Sequence, residues 1–434
     1  MPESLPVTTW NPRRPSAEVE AFCERPAFSP AAEKTARDVL AAVKRQGDKA
    51  VLKYARTFDK LDSSITTLRV SKAEIEVAKS QVDAAFKKAA RESNRRIARF
   101  SKAGMRKDWA MKTPGGGSVG ERFEPLQRVG AYIPGGEAPL VSTALMTVSL
   151  ARVAGVPEIV ACTPCAPDGS VNPTILYALD LAGATEIYRV GGIQAIAAMA
   201  YGTASISPVR KIVGPGGPYV TAAKRLVYGV VDLDLVAGPS EVAILADSTA
   251  RAKVVAIDLL AQLEHGTGHE KSLLVTTSKR LAAQVARQVF VEAGKLTRSA
   301  FLRKGIPKNL MIVVVPDIDA GVALCNRFAA EHLEVLVRKP RRVLGGIRSA
   351  GAIFLGPWTP ESAGDFVAGP SHVLPTGGTA AVFSGLTVDS FRRRASVIEF
   401  RRKDLEETLS VIEAFGRVEH LDAHARSAQV RFES

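Results

Sequence analysis

The sequence predicts an α/β protein in which helices cover parallel β-sheets. Between residues 141 and 355, short apolar runs alternate with amphipathic helical patterns, which is the order of repeated strand–helix units. Most of these runs are continuously apolar, as expected of parallel strands that are buried on both faces. The candidate strands are residues 158–162, 186–190, 211–213, 241–246, 272–277, 310–315 and 352–355.

The segments between these candidate strands show the periodicity of amphipathic helices. In residues 250–265, apolar residues recur at positions i, i+3, i+4 and i+7, so one face packs inward. Residues 279–293 repeat this pattern. Residues 319–332 do so as well, with His332 at the end of the apolar stripe, and Cys325 is therefore expected in the core.

The composition changes outside this central region. Residues 26–112 are charged and rich in helical patterns, and the chain after Thr376 is predicted to be basic amphipathic helix. The glycine- and proline-rich residues 113–117 suggest a boundary between structural units. Pro239 suggests the point at which the chain leaves one sheet for another.

The chain has 434 residues, of which 46% are hydrophobic, and can bury a sizeable core. No apolar run approaches the roughly 18 residues of a membrane-spanning helix. Residues 1–13 contain proline and charge where a secretory signal needs an apolar stretch. The four cysteines are too few for a disulfide framework. We therefore expect a soluble cytoplasmic protein, in which the lone Cys162–Cys165 CxxC pair is structural.

A net charge of +14 raises the possibility of nucleic-acid binding. The basic residues cluster at 91–107 and 391–403. These clusters lack interleaved aromatic residues, which make up only 6% of the chain. We interpret both clusters as solvated helical faces and expect no nucleic-acid partner.

Two pairs of polar residues are placed where predicted helices end. Gln262 and His265 lie three residues apart, a spacing that puts both on one helical face and allows them to share a metal ion. Glu331 and His332 precede a strand-like run at 333–337 and offer a carboxylate beside an imidazole for acid/base chemistry. Taken alone, Gln262 and His265 are better explained as a helix end satisfied by ordinary hydrogen bonds, and Glu331 and His332 as a coincidental surface pair.

Three further features are compatible with a functional site but do not show which chemistry it would carry out. Asp365 and His372 lie in the glycine-rich segment 360–375, which is predicted to be a loop. Glu419, His420 and His424 fall on a predicted C-terminal helix, where the two histidines could share one face. The glycine turns at 135–136, 191–192 and 214–217 resemble cofactor-binding turns, but none follows the GxGxxG pattern.

The order of the motifs is more informative than any one of them. GAYIPGG, GGIQAIAAMAYGT, GPGGPYV, GPSE, QLEHG, AAEHLE, PESAGDFVAGPSHVLPT and the tail segment 419–424 follow one another along the chain. This order resembles the histidinol dehydrogenase family nearly from end to end. The resemblance implies two incomplete Rossmann-like domains with parallel sheets, together with helical N- and C-terminal extensions.

The resemblance also implies a division of the chain into domains. Residues 1–29 would be an N-terminal extension, and residues 132–240 an NAD-binding domain. Residues 30–131 and 241–386 would form a discontinuous metal and substrate domain. Residues 387–434 would be a tail that reaches the active site of a partner subunit.

By resemblance, each matched motif residue has a role. One Zn²⁺ per subunit would be held by Gln262, His265, Asp365 and His424, and the catalytic pair would be Glu331 and His332. Tyr132 and Gln194 would contact NAD. The residues expected to contact the substrate are Ser240, Gln262, His265, His332, Asp365, His372, Glu419 and His424.

The implied reaction is the NAD-dependent oxidation of L-histidinol to L-histidine through L-histidinal, carried out by a homodimer with intertwined C-terminal tails. His332 would take the alcohol proton, and Glu331 would activate the water that attacks the aldehyde, because no cysteine lies in a recognised nucleophile motif. A related zinc-dependent dehydrogenase of another small polar alcohol is the alternative. One departure is Gly217, which replaces a family asparagine that binds NAD, so weaker nucleotide binding is expected.

Overall fold

The computed structural model describes residues 4–24, 29–135, 139–236, 238–265 and 268–433, and it confirms the predicted α/β class. The strands are β1 (Val7–Thr9), β2 (Trp109–Lys112), β3 (Ser118–Pro125), β4 (Arg128–Tyr132), β5 (Glu158–Thr163), β6 (Glu186–Arg189), β7 (Lys211–Val213), β8 (Asp232–Leu233), β9 (Glu241–Ala246), β10 (Lys271–Thr276), β11 (Leu310–Val314), β12 (His332–Leu336), β13 (Ala352–Leu355) and β14 (Arg392–Glu399).

Helices connect most of these strands and also form both ends of the chain. They are α1 (Ala17–Cys23), α2 (Pro30–Gln46), α3 (Asp48–Phe58), α4 (Lys72–Gln81), α5 (Ala84–Gly104), α6 (Val141–Ala154), α7 (Pro173–Ala182), α8 (Gly192–Tyr201), α9 (Pro218–Val227), α10 (Ala252–Leu263), α11 (Lys279–Ala293), α12 (Ser299–Asn309), α13 (Ile318–Phe328), α14 (Pro340–Val343), α15 (Glu361–Phe366), α16 (Arg402–Val418) and α17 (Asp422–Gln429). In the described part of the chain, no helix combines the length and apolar character needed to cross a membrane.

The larger sheet has six parallel strands in the order β1-β11-β10-β9-β12-β13. Beginning at β9, the chain adds two strands on one side and then crosses to add β12 and β13 on the other, which is a doubly wound topology. Separate apolar clusters cover the two faces, one centred on α10 and α11 and the other on α13. Strand β9 is buried throughout, at the centre of this sheet.

The second sheet has five parallel strands in the order β6-β5-β4-β7-β8 and is wound in the same way, with its crossover between β4 and β7. Helices α6 and α7 cover one face, and α8 and α9 cover the other. The chain passes from this sheet to the six-stranded sheet between β8 and β9, next to Pro239, as the sequence suggested.

Helices α2, α3 and α5 pack against the five-stranded unit, through α8 and α9 on one side and α6 on the other. Ala36 and Val39 of α2, for example, belong to the apolar cluster that includes Ala195 and Val160. This packing differs from the predicted grouping of residues 30–131 with 241–386, because the apolar faces of these helices match the five-stranded sheet. The domain boundaries themselves stay a prediction.

The prediction that the chain is helical after Thr376 is wrong for residues 392–399. They form β14, which pairs antiparallel with β3 in a three-stranded sheet of order β14-β3-β2. Arginines at consecutive positions in this segment resemble a basic helical face in sequence, but along a strand they alternate between the two faces. Residues 113–117, predicted as a boundary, form the turn of the β2–β3 hairpin.

Two predicted helices end earlier than expected, because a residue with positive φ interrupts each. Helix α13 stops at Phe328, where Ala329 has φ 51° and ends the helix; Glu331 therefore lies in a short link and His332 begins β12. In the tail, His420 has φ 56° between α16 and α17, so His420 and His424 do not share a continuous helix.

A buried ion pair fixes the glycine turn after β7. The ammonium of Lys224 contacts the carboxylate of Asp234, and the two side chains are only 2% and 1% exposed. Lys224 also donates to the carbonyl of Gly214 at 2.8 Å, and Asp234 accepts from the Gly214 amide at 2.6 Å. Gly214 has φ 110°, a conformation that favours glycine, so the pair holds this turn from both sides.

We predict that Lys224→Met lowers the free energy of unfolding by about 3–5 kcal/mol, because it leaves the Asp234 carboxylate buried without its cation. Urea unfolding followed by circular dichroism measures the change. Lys34→Met is the control, because Lys34 pairs with Asp38 at 3.1 Å while its side chain is 82% exposed. That variant should lose less than about 1 kcal/mol. Equal losses in the two variants would contradict the structural role of the buried pair.

Candidate active site

Seven of the predicted site residues meet in a cleft between the two parallel sheets: Ser240, Gln262, His265, Glu331, His332, Asp365 and His372. From the six-stranded sheet, the cleft receives the amino ends of the strands: Ser240 precedes β9, and His332 is the first residue of β12. From the five-stranded sheet it receives the opposite edge, where β4 ends and α6 begins. A contact of 3.3 Å between Thr143 Oγ1 on α6 and His372 Nε2 joins the two sides.

His332 is the centre of the cluster. Its side chain is only 3% exposed, and its register opposite Val242 and Ala352 on the neighbouring strands fixes where the ring emerges. Nδ1 of the imidazole lies 3.6 Å from Glu331 Oε2, and Nε2 lies 3.5 Å from Asp365 Oδ1. The imidazole is thus placed between two carboxyl groups, out of contact with bulk water.

Asp365 connects two histidines. Its Oδ1 atom is 3.5 Å from His332 Nε2 and 3.7 Å from His372 Nδ1. The sequence predicted a loop here, but Asp365 lies on the short helix α15, which fixes its direction more firmly than a loop would.

Gln262 and His265 approach the same centre from the end of α10. Gln262 is fully buried, with its Nε2 atom 3.3 Å from His332 Nδ1, and its Oε1 atom has no hydrogen-bond partner among the described residues. His265 lies just beyond the helix, at the exposed mouth of the cleft, and its Nδ1 atom is 3.0 Å from Ser240 Oγ. The structure therefore brings together the residues that the sequence could only pair by spacing.

Between these groups is a cavity of about 170 Å³, suited to a small polar molecule. Its lining includes both catalytic candidates and both faces of the cleft. The lining residues are Leu140, Ser142, Thr143, Pro215, Gly238, Ser240, His265, Glu331, His332, Asp365, Phe366, His372, Val373, Leu374 and Thr376.

Burial and charge shift the pKa values of the central groups in different directions. Burial raises the pKa of Glu331 to about 7, against the opposing effect of His332. Burial lowers the pKa of His332, but the carboxylates of Glu331 and Asp365 outweigh it and raise the value to about 10. Burial likewise opposes ionisation of Asp365, but the neighbouring imidazoles of His332 and His372 hold its pKa below the usual range. A carboxyl with a pKa near neutrality, such as Glu331, can serve as a general base.

The donor set fits a borderline divalent cation such as Zn²⁺. A buried amide oxygen without a partner on Gln262, a carboxylate on Asp365 and an imidazole on His265 are the oxygen and nitrogen donors that this ion accepts. A further group, His332, Glu361 and Asp365, has potential ligand atoms that lie within 4.8 Å of one another. Glu361 was not predicted from the sequence, because its i, i+4 relation to Asp365 has meaning only if the segment is helical.

The predicted nucleotide residues lie at the carboxyl edge of the five-stranded sheet. Tyr132 Oη accepts a hydrogen bond from the Gly192 amide at 3.2 Å, and burial raises the pKa of this tyrosine to about 12. Gln194 donates through Nε2 to Asp59 at 3.0 Å, while its buried Oε1 has no hydrogen-bond partner among the described residues. A cavity of about 750 Å³ at the same edge is lined in part by Asp59, which no sequence motif indicated.

Gly217, the departure from the family pattern, precedes the first residue of α9. A Cβ atom at this position would meet no atom within 4 Å, so the structure has room for an asparagine. The expected weaker binding of NAD stays a prediction.

The cysteines do not provide an activated thiol. Cys23, Cys162 and Cys325 are buried. Burial raises the pKa of the Cys162 thiol above its usual range and that of Cys165 to about 11. A nucleophilic cysteine needs the opposite shift, so a water nucleophile is the better match to these surroundings.

Glu419 and His424 are not part of this cluster. Both are exposed on the C-terminal tail, and neither lines the cavity of its own chain. The site assembled from one chain therefore contains Gln262, His265 and Asp365 of the predicted metal ligands, but not His424.

Comparison with known proteins gives one consistent family. A family model described as histidinol dehydrogenase matches residues 24–432. A histidinol dehydrogenase of Heliobacterium mobile is 44% identical over 395 residues, covering 91% of this chain and 92% of the relative. A histidinol dehydrogenase of a Synechococcus strain is 42% identical over 420 residues, 96% of each chain.

Among solved structures, histidinol dehydrogenase from Elizabethkingia anophelis matches with a TM-score of 0.93 at 34% sequence identity. The match covers 99% of this chain and 98% of that structure, so the likeness extends over both sheets and the tail.

Proposed function

The chain belongs to the histidinol dehydrogenase family, whose members are oxidoreductases of histidine biosynthesis, and we propose that it oxidises L-histidinol to L-histidine through L-histidinal with NAD⁺. The observation that carries this proposal is the position of His332. It lies between Glu331 and Asp365 at the wall of a cavity of about 170 Å³. Two oxidations in one site need two proton acceptors, and this site offers an imidazole and a carboxyl group side by side.

Gln262, His265 and Asp365 would hold one Zn²⁺ per subunit, with the partner subunit's His424 as the fourth ligand. The metal would orient the substrate and offset the negative charge of Asp365, which otherwise favours the protonated form of His332. The support is the donor chemistry, above all the buried Gln262 Oε1 atom without a partner.

In the first oxidation, His332 would accept the proton of the substrate hydroxyl, while the carbinol hydrogen leaves as hydride. NAD⁺, when bound, supplies the hydride acceptor in both oxidations. The ring of His332 is well suited to this role, because contacts to Glu331, Asp365 and Gln262 fix its orientation.

In the second oxidation, Glu331 would take a proton from water as the water oxygen attacks the aldehyde carbon, giving the anion of the hydrate, which loses hydride to form the carboxylic acid. Burial prepares Glu331 for this step by raising its pKa to about 7. The Glu241 amide donates to Glu331 Oε2 at 3.1 Å and holds the carboxyl group in place.

The remaining polar residues of the site would position the reactants. Ser240 and His372, together with Glu419 from the tail, would contact the substrate. Tyr132 and Gln194 would contact NAD at the carboxyl edge of the five-stranded sheet.

Glu419 and His424 would act in the partner's site, because they are exposed and do not line the cavity of their own chain. An intertwined homodimer follows from this assignment. Cytoplasmic location and the absence of nucleic-acid or membrane partners stay predictions.

We predict that the purified chain forms two NADH per L-histidinol, and that a chelator which removes bound metal abolishes this activity until Zn²⁺ is added back. NADH absorbance measures both. An amino alcohol without an imidazole is the control substrate and should give little NADH. Faster turnover of that alcohol than of L-histidinol would overturn the substrate assignment, and full activity after verified metal removal would overturn the metal assignment.

Glu331→Gln should slow oxidation of L-histidinal about 10²–10⁴-fold, the usual contribution of a general base, and should slow the first hydride transfer much less. Glutamine retains the shape of glutamate and can still accept the Glu241 amide, so the fold should be preserved. Single-turnover rates measured separately with L-histidinol and L-histidinal provide the comparison. Equal losses in the two steps would refute the separate roles of Glu331 and His332.

Mixing His332→Ala and His424→Ala chains tests the shared site. If the tails cross, each heterodimer contains one intact site, and random exchange should restore about a quarter of the parent activity. Mass spectrometry of the intact dimers verifies the exchange. No recovery in a mixture with proven heterodimers would show that each tail serves its own subunit.

A further inference from the structure

The segment 366–373 follows α15 and carries His372, and helices of the five-stranded unit hold it from across the cleft. At its start, Ser93 Oγ on α5 donates to the Phe366 carbonyl at 2.6 Å. At its end, Ser371 and His372 contact α6. The polypeptide that carries His372 therefore takes its position from the five-stranded unit as well as from the six-stranded sheet.

One turn of α6 makes three contacts with this segment, and we call these contacts the α6 seam. The Ser371 hydroxyl donates to the Met146 carbonyl at 3.0 Å, and the His372 amide donates to Met146 Sδ at 3.2 Å. Thr143 Oγ1 lies 3.3 Å from Nε2 of the His372 ring. Thr143 and Met146 are three residues apart and therefore share one face of α6. The α6 seam thus contacts both the backbone and the ring of His372.

The Ser371 hydroxyl also fixes the backbone on either side of His372. It accepts a hydrogen bond from the Val373 amide at 3.2 Å while it donates to the Met146 carbonyl, and a hydroxyl group can do both at once. Ser371 is 7% exposed and Thr143 is 1% exposed, so both hydroxyl groups are sheltered from water. Removal of either hydroxyl would deprive a buried partner of a hydrogen bond, which is unfavourable.

The ring of His372 needs such contacts, because the last torsion of a histidine side chain has only a broad preference of its own. Nε2 lies against Thr143, and Nδ1 lies 3.7 Å from Asp365 Oδ1. The ring lines the cavity of about 170 Å³. The reaction described above assigns no role to Thr143 or Ser371. Their contacts nevertheless limit how the His372 ring can face the cavity.

We propose that Thr143 and Ser371 are positioning residues that hold the imidazole of His372 in one orientation at the cavity wall. Ser371 fixes the backbone of His372, and Thr143 fixes the ring. Because α6 covers the five-stranded sheet, which presents Tyr132 at its carboxyl edge, the same contacts keep the substrate side of the cleft in register with the nucleotide side. The effect on turnover rests on the proposed function, whereas the order of the ring does not.

The local test is a nuclear magnetic resonance spectrum of the histidine rings in protein labelled with ¹⁵N-histidine. The chain has six histidines, and the signal of His372 is identified by its loss in His372→Gln. Thr143→Val replaces the hydroxyl by a methyl group of similar shape and should shift or broaden that signal, whereas Thr143→Ser should retain it. Thr147→Val is the matched control, because Thr147 is fully buried on α6 and its hydroxyl donates only within the helix, to the Thr143 carbonyl at 2.7 Å.

The functional test measures kcat and KM with L-histidinol and NAD⁺. Thr143→Val should lower kcat/KM for L-histidinol by about 10–100-fold and raise the KM for L-histidinol, while the KM for NAD⁺ stays near the parent value. A mere loss of folded protein would lower kcat and leave both KM values unchanged. Thr143→Ser should recover most of the parent kcat/KM. Ser371→Ala should change the kinetics and the His372 signal in the same direction as Thr143→Val, and it serves if that variant does not fold.

The outcomes separate the positioning role from the proposed function. If Thr143→Val and Ser371→Ala both match Thr147→Val in the ring spectrum and in kcat/KM, the positioning role is wrong although the parent oxidises L-histidinol. An altered His372 signal with unchanged kinetics would also overturn it, because the orientation of the ring would then not matter for turnover. If the parent does not oxidise L-histidinol, the proposed function is wrong, and the ring spectrum alone decides whether Thr143 and Ser371 hold His372.

Discussion

The candidate active site depends on the burial of one imidazole between two carboxyl groups. His332 begins β12 at a point where its ring is 3% exposed, with Glu331 Oε2 at 3.6 Å and Asp365 Oδ1 at 3.5 Å. Because water is excluded, each charge strongly affects the others, and the pKa values of Glu331 and His332 rise while that of Asp365 falls. Helices α10 and α15 and the start of β12 are arranged so that the side chains they carry meet at this imidazole.

The two parallel sheets face the cleft with opposite ends of their strands. Parallel doubly wound sheets normally bind ligands beyond the carboxyl ends of their strands, and the five-stranded sheet presents Tyr132 at that edge. The six-stranded sheet presents its amino edge instead. At its carboxyl edge the polar groups satisfy local needs: Asp317 caps α13, Ser278 caps α11, and Asp247 accepts from the amides of Thr249 and Arg338.

Much of the fold could be predicted from the sequence because buried parallel strands produce continuous apolar runs. The strand at 241–246 has the predicted bounds, and its neighbours differ by about one residue. The failures occurred where one backbone angle or a distant partner decides the structure. Ala329 adopts φ 51° without a glycine to signal it, and β14 forms only because β3 lies beside it. The site could be assembled from motif order, but Glu361 and Asp59 were missed, since their partners are remote in sequence or depend on an unpredicted helix.

The buried polar groups of the site require a strongly apolar core around them. Glu334, Gln262 and Glu331 each occupy positions where an apolar residue would stabilise the fold more, since desolvating them is unfavourable. The surrounding core compensates: β9 and β12 are buried throughout. This rigidity matters because misplacement of a reacting group by about 1 Å can reduce a rate about 100-fold. Glu331, which lies in the short link before β12, is held in place by burial and by the Glu241 amide, which donates to its Oε2 atom at 3.1 Å.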